Sequence, residues 1–401
     1  MRTKLLLITA CVAAVAMPVG VAAATQTRGW TATGSMVTAR AFQIATRLDD
    51  GRVLVAGGFD VGGHAGPPWE NQAELYDPQT EAWTATAPMS TPRAAHAAVK
   101  LKDGRVLVVG GETFGGVFVN TAEIFDPQSE TWTPAAPMFV PREEPIARLL
   151  EDGRVLVAGG TTFGGTTNDS ELYDPATNTW TATQPMPVPM TDDDKTAVAL
   201  RNDTGAGGAG AQFEDDGAQQ VLAIGGCTLP PPPHIPSGVV QLFDAKTLTW
   251  SLRTPMPIPL CDGSAVLLKT GRVLVAGGTS PTQNGFPTYS NVAELYDVRT
   301  DTWTVAPPMN FARNEFTLTL LKDGRALAAG GHASFDTPQS TTELYDPKAN
   351  AWIPAGTMSV RRAGLSATLL KDGNVLVAGG LFQPPTATRS ADLFRVNSGQ
   401  G

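Results

Sequence analysis

Five arginines recur at one spacing, each four residues after a methionine: Met36/Arg40, Met89/Arg93, Met138/Arg142, Met309/Arg313 and Met358/Arg362. A ring of guanidiniums can grip the carboxylate of an acidic sugar or a peptide, because Arg offers paired donors to two oxygens at once. The same side chains can instead neutralise acids inside the protein, since a buried charge needs a partner. The histidines are His64, His96, His234 and His332, with no two at ligand spacing on one element, so no metal site is read from them. His96 and His332 stand alone as candidate general bases. Trp69, Phe114, Phe163, Phe286, Tyr289, Phe335 and Phe382 lie in Gly- and Pro-rich connections, where a ring can stack on a sugar or anchor a protein. Asp192-Asp193-Asp194 offers either a calcium ligand set or a solvated loop.

The chain has 401 residues with 29 Lys plus Arg against 38 Asp plus Glu, a formal charge of −9. That excludes nucleic acid as a partner, because binding to phosphate backbones needs a basic footprint. Arg2 and Lys4, the apolar run from Leu5 to Val21 and the small residues Ala22-Ala23-Ala24 read as a signal peptide over 1–24. The apolar run is short and broken by Pro18, so cleaved export is favoured over a membrane anchor; a lipoprotein reading on Cys11 has too few apolar residues before it. No membrane span follows. The mature chain is expected to be secreted or periplasmic, and its two cysteines, Cys227 and Cys261, to form a disulfide there.

With 42 Gly and 32 Pro, the chain reads as many short strands and turns rather than long helices. Gly-Gly pairs mark seven units: Gly57-Gly58, Gly110-Gly111, Gly159-Gly160, Gly225-Gly226, Gly277-Gly278, Gly330-Gly331 and Gly379-Gly380, at intervals of 53, 49, 66, 52, 53 and 49. An insertion at 205–216 accounts for the long interval. In the second unit Ala95 to Leu101 reads as strand a, Asp103-Gly104 as a hairpin turn, and Arg105 to Val109 as strand b. Thr121 to Phe125 reads as strand c and Thr131 to Ala135 as strand d, with Trp132 between neighbouring units. The glycines and tryptophans are thereby read as core.

The Gly doublet, the tyrosine of Tyr76-Asp77 and the spaced Trp83 resemble the kelch repeat, and the resemblance covers the whole mature chain. It implies an all-β, seven-bladed kelch-type β-propeller with four antiparallel strands per blade. Gly29 to Thr33 reads as a strand d without its own blade, and the C-terminus supplies a, b and c without d. The last blade is therefore expected to be closed by the N-terminal strand, giving one domain over 25–396 and a tail at 397–401. In such a blade the b–c and d–a connections share one face, here called the upper face. The dissimilar b–c loops place the aromatics there, and the arginines in d–a loops. Each Arg is read against the strand-c acid of the blade it leaves, giving Asp392, Glu74, Glu123, Glu294 and Glu343. On that register Leu260 faces Gln241, and Glu171 is left facing Met190.

Kelch propellers include the copper enzyme galactose oxidase, whose radical site resemblance would require two Tyr, two His and a Cys cross-linked to Tyr. Four of the five tyrosines, Tyr76, Tyr173, Tyr296 and Tyr345, occupy strand c, which counts against that chemistry. The reading is a monomeric binding module for carbohydrate or an extracellular protein, without a cofactor. The alternative is a carbohydrate-active epimerase or lyase using His96 or His332 at the channel mouth.

Overall fold

The computed structural model describes residues 29–60, 69–191, 196–200, 217–228, 235–281, 287–334, 337–383 and 386–396. Residues 1–24, expected to be a signal peptide, His64, Asp192 to Asp194, the 205–216 insertion, His234, Phe286, Phe335 and residues 397–401 lie outside the described residues. Among those described, every regular element is a strand, and no helix is long and apolar enough to cross a membrane.

Seven four-stranded antiparallel sheets form a ring. Blade 1 consists of strand a Ile44–Arg47, b Val53–Ala56, c Ala73–Asp77 and d Ala82–Thr86. Strand a of blades 2 to 6 begins at Ala97, Ile146, Ala197, Ser264 and Thr317. Blade 7 has Ser366–Leu369, Val375–Ala378 and Ala391–Arg395, and its fourth strand is Gly29–Ala32 from the other end of the chain. Trp30 pairs with Phe394 and Thr31 with Leu393, so blade 7 is completed by strands from both ends of the sequence, as every other blade is completed by its own strand d.

Strand b is a run of apolar residues such as Val53 to Ala56, buried on both faces because each blade is covered by two neighbours. Core clusters accordingly form at the seams. Val53 and Val55 of blade 1 pack with Leu376 and Leu393 of blade 7 around Met36 and Tyr76. Each such fully buried side chain contributes about 1.5–3 kcal/mol relative to exposure. The strand-d tryptophans cross the seams: Trp83 Nε1 donates to the Gly34 carbonyl at 2.7 Å and Trp132 Nε1 to that of Ala87 at 2.8 Å. The Gly doublets are required by both conformation and space. Gly57 has φ +67°, and a Cβ there would lie 2.5 Å from the Arg93 carbonyl of the next loop.

The expected strand a from Ala95 to Leu101 is shorter, Ala97–Lys100. Ala95 takes a left-handed φ of 50°, as do Phe42, Glu144, Asp262 and Glu315 at equivalent places near 50°. Their backbones link blade to blade around the upper mouth: Gly364 donates to Glu315, Phe42 to Gly364, Ala95 to Phe42 and Glu144 to Ala95. These cross-blade bonds hold a conformation that costs non-glycine residues about 1–2 kcal/mol each. Six b–c connections also contain small two-stranded hairpins, such as Glu112–Thr113 with Val117–Phe118, which the sequence reading had left as loops.

Candidate functional site

The five arginines are wholly enclosed, at 0% exposure, and so are not available to a ligand. Their pairing also corrects the expected register by one blade. A d–a loop has already crossed onto the next blade when it reaches its arginine, so each Arg meets the acid of the blade it is entering. The pairs are Arg40–Glu74 at 2.7 Å, Arg93–Glu123 at 3.0 Å, Arg142–Glu171 at 2.8 Å, Arg313–Glu343 at 3.1 Å and Arg362–Asp392 at 2.6 Å. The other amino group of Arg40 donates to the carbonyls of Gly57 and Gln72, which locks the Gly doublet to the start of strand c. The Val37 and Thr38 amides complete the shell around Glu74. Burial pulls the Arg362 guanidinium down to about 10, against the opposing pull of Asp392. Glu171, unpaired in the sequence register, is thus paired. The exceptions are Gln241, whose amide lies 3.4 Å from the Met190 sulfur, and Glu294, for which Leu260 occupies the arginine position.

Neither candidate base is presented to solvent at the channel mouth. His96 is 6% exposed and packs on Gly57, both ring nitrogens enclosed without a partner. Burial and then the nearby Arg93 charge hold its pKa well below the ordinary value, so the ring is neutral. His332 sets Nδ1 3.4 Å from the Glu315 carboxylate, while its Nε2 is enclosed and unpartnered. A base needs an accessible nitrogen within reach of substrate. These two histidines serve the seams instead.

The upper aromatics are brought together. Phe42 stacks on Phe59 at 5.4 Å, Phe59 lies 6.3 Å from Trp69, and Trp69 meets Phe114 edge-on at 5.9 Å. Phe118 and Phe163 then bridge blades 2 and 3 at 4.9 Å. Phe114 and Phe163 are 66% and 70% exposed, the most exposed of the described aromatics. Tyr289 sits apart, paired with Thr279 in the blade 5 hairpin. Phe382 lines a shallow cavity of about 340 Å³ with Val37, Asp60, Thr388 and Arg389 where blade 7 meets blade 1. Phe42, Phe59 and Phe118 were missed by the sequence reading. Phe59 directly follows the Gly57-Gly58 doublet, a position that recurs in every unit.

The residue after each Gly doublet faces the next blade's loop. At this position Cys227 of blade 4 forms a disulfide with Cys261 of the loop entering blade 5, with Cα atoms 5.0 Å apart. The bond joins two blades, since Cys261 bridges to Thr279 of blade 5. One blade earlier the Thr161 and Thr191 hydroxyls meet at 3.2 Å. Between blades 2 and 3 the pair is Glu112 and Glu143, two carboxyls joined by a hydrogen bond. Burial, with the Glu144 and Glu112 charges, raises Glu143 to about 8, so the pair holds a proton at neutral pH.

A closed ring of seven four-stranded blades defines the class: a seven-bladed β-propeller. The kelch motif matches residues 44–90, 93–139, 152–187 and 261–310, so four of the blades carry kelch repeats, which fits a kelch-repeat propeller. A fungal alcohol oxidase of the AA5 family, solved in complex with copper, has the same fold. The TM-score is 0.70 at 20% identity, over 92% of this chain and 76% of that one. The copper donors of such a radical centre do not assemble among the described residues. Tyr76, Tyr173, Tyr296 and Tyr345 are tied by their hydroxyls or rings into strands c and d, as in Tyr296 with Asp301 at 2.6 Å. Cys227 and Cys261 are joined to each other, and the His96 nitrogens are enclosed.

Proposed function

We propose that the protein is an exported binding module that recognises carbohydrate or an extracellular protein through its upper face. The observation that supports this is the aromatic arc from Phe42 to Phe163 across blades 1 to 3. Phe114 and Phe163 stand on hairpin tips outside the seam clusters, so the fold does not need them there. An exposed ring costs little to remove from a fold yet can dominate an interface. The disulfide is consistent with export, since such bonds persist in oxidising compartments. Phe286 and Phe335, outside the described residues, and Tyr289 extend the same reading to blades 5 and 6.

The test is a glycan and peptide binding screen on the mature chain, repeated with Phe114→Ala and Phe163→Ala. Loss of binding with an unchanged unfolding midpoint supports the upper face. Loss only on replacing lower-turn residues such as Arg105, Arg154 and Arg325 places the site on the opposite face. Those arginines are bonded to Asp103, Asp152 and Asp323 of their own turns.

A further inference from the structure

We propose that the upper face of blades 2 and 3 is a receptor for a cationic side chain, the arginine of a basic peptide segment on a partner protein. This rests on the upper-face binding reading and names the chemistry of its ligand. Three observations combine. First, Glu112 and Phe118 are directly opposite each other in the blade 2 hairpin, so their side chains leave the same face of it. Phe118 touches Phe163 of the blade 3 hairpin at 4.9 Å. Glu143, at the foot of that second hairpin through its bridge to Thr161, shares a hydrogen bond with Glu112. Two hairpins thereby set phenylalanine rings beside one carboxyl pair.

Second, the charge of this face is one-sided. The b–c loops 57–72, 110–121 and 159–169 contain no Lys or Arg. The d–a loops that enter blades 1 to 3 contain only Arg40, Arg93 and Arg142, each fully buried on its own acid. An acidic sugar or carboxylate ligand therefore finds no accessible guanidinium here, and a cation finds carboxylates and ring faces together.

Third, the shape suits a guanidinium. The Phe118 and Phe163 rings meet at 4.9 Å and are tilted by 34° to each other, so they do not form the one flat platform a sugar ring stacks on. A planar guanidinium can slide against a ring while donating to two carboxyls, whereas the ammonium of an amino sugar is a point charge beside a bulky ring. Among the described residues the charged groups acting on Glu143 are Glu112 and Glu144, both acidic, and Glu144 itself accepts a hydrogen bond from the Thr191 hydroxyl at 2.9 Å. An arriving cation displaces the proton held by the Glu112–Glu143 pair, so binding releases a proton.

The experiment is calorimetry of the full mature chain with hexa-arginine at low ionic strength, beside the same peptide built from uncharged citrulline. Hexa-arginine is expected to bind and the citrulline peptide not to. Phe163→Ala and Glu143→Gln should each weaken binding at least tenfold, and Glu130→Gln on the lower face should not. In the unsubstituted chain affinity should rise from pH 6.5 to 9, and Glu143→Gln should flatten that rise. Equal binding of the citrulline peptide, or indifference to Glu143→Gln, overturns the proposal. A deacetylated chitin oligosaccharide that binds where the peptide does not assigns the face to an amino sugar instead and also overturns it. A neutral glycan that binds with sensitivity to Phe114→Ala, but not to Glu143→Gln, sinks this inference while keeping the binding face. Failure of every ligand at that face sinks both.

Discussion

Leu260 occupies, in the loop entering the blade of Glu294, the position from which five other blades pair an arginine with an acid. Glu294 is 0% exposed, accepts one bond from the Ile258 amide at 3.2 Å, and has a second oxygen without a partner. Pro257 has no N–H to supply the second amide that Val37 and Thr38 jointly provide to Glu74. Its strand neighbours, Val275 and Val305, are apolar. Burial therefore raises the carboxyl from 4.5 to about 7. Blade 4 has the same Pro-X-Pro loop, and there Gln241 has replaced the acid opposite Met190.

Because the folded pKa lies above the unfolded value, the Glu294 contribution to stability is fully present below pH 4.5 and is lost as pH rises through about 7. Glu294→Gln should therefore gain stability relative to the parent above pH 7, on the order of 1–3 kcal/mol, and show no such gain near pH 4. Urea titrations of both chains at several pH values check this. A constant difference across that range would refute the neutral carboxyl.

Breaking one intact pair should be expensive, and removing both charges should not be. Arg142→Met alone leaves Glu171 buried and uncompensated, with an expected loss of about 3–5 kcal/mol. Arg142→Met with Glu171→Gln copies the Met190–Gln241 arrangement of blade 4 and should recover most of that loss. The double-mutant cycle is read from chemical unfolding midpoints. Equal destabilisation by the single and double variants would contradict a charge-pair role.

Closure depends on the N-terminal strand. Trp30 tilts against Phe394 at 5.2 Å and donates from Nε1 to the Thr342 hydroxyl at 2.8 Å. A chain beginning at Met36 should unfold at a lower temperature and less cooperatively, because blade 7 is left with an open edge. Trp30→Ala should cost about 3–4 kcal/mol, the lower part of the range for a large aromatic because the ring is half-buried. Unchanged calorimetric unfolding of the shortened chain would refute closure by this strand.

The disulfide ties blades 4 and 5 across a sequence separation of 34. Removing it as Cys227→Ser with Cys261→Ser should lower stability by about 3–4 kcal/mol in the chain-entropy description. Thiol titration of the unfolded parent before and after reduction, with unfolding curves of both chains, checks the bond and its effect.

What the sequence by itself determined is everything that repeats within about fifty residues. Asp-Gly turns, Gly doublets, strand-c tyrosines and strand-d tryptophans are local demands of hydrogen bonding and packing, so they are written into every unit, and seven units with split ends specify a closed ring. The partners of Arg40 and its equivalents were not legible in this way. Their register depends on the point at which a loop crosses from one blade to the next, and a one-blade shift leaves the spacing of Met, Arg and acid unchanged. The same holds for the candidate site. Phe114 and Phe163 were visible as aromatics in upper loops, but Phe118 meeting Phe163, or Glu112 meeting Glu143, joins separate repeats. The burial of His96 and of the arginines likewise follows from blades packing face to face. Only the tertiary structure decided these contacts, because each is made across a seam whose two sides are encoded in different repeats.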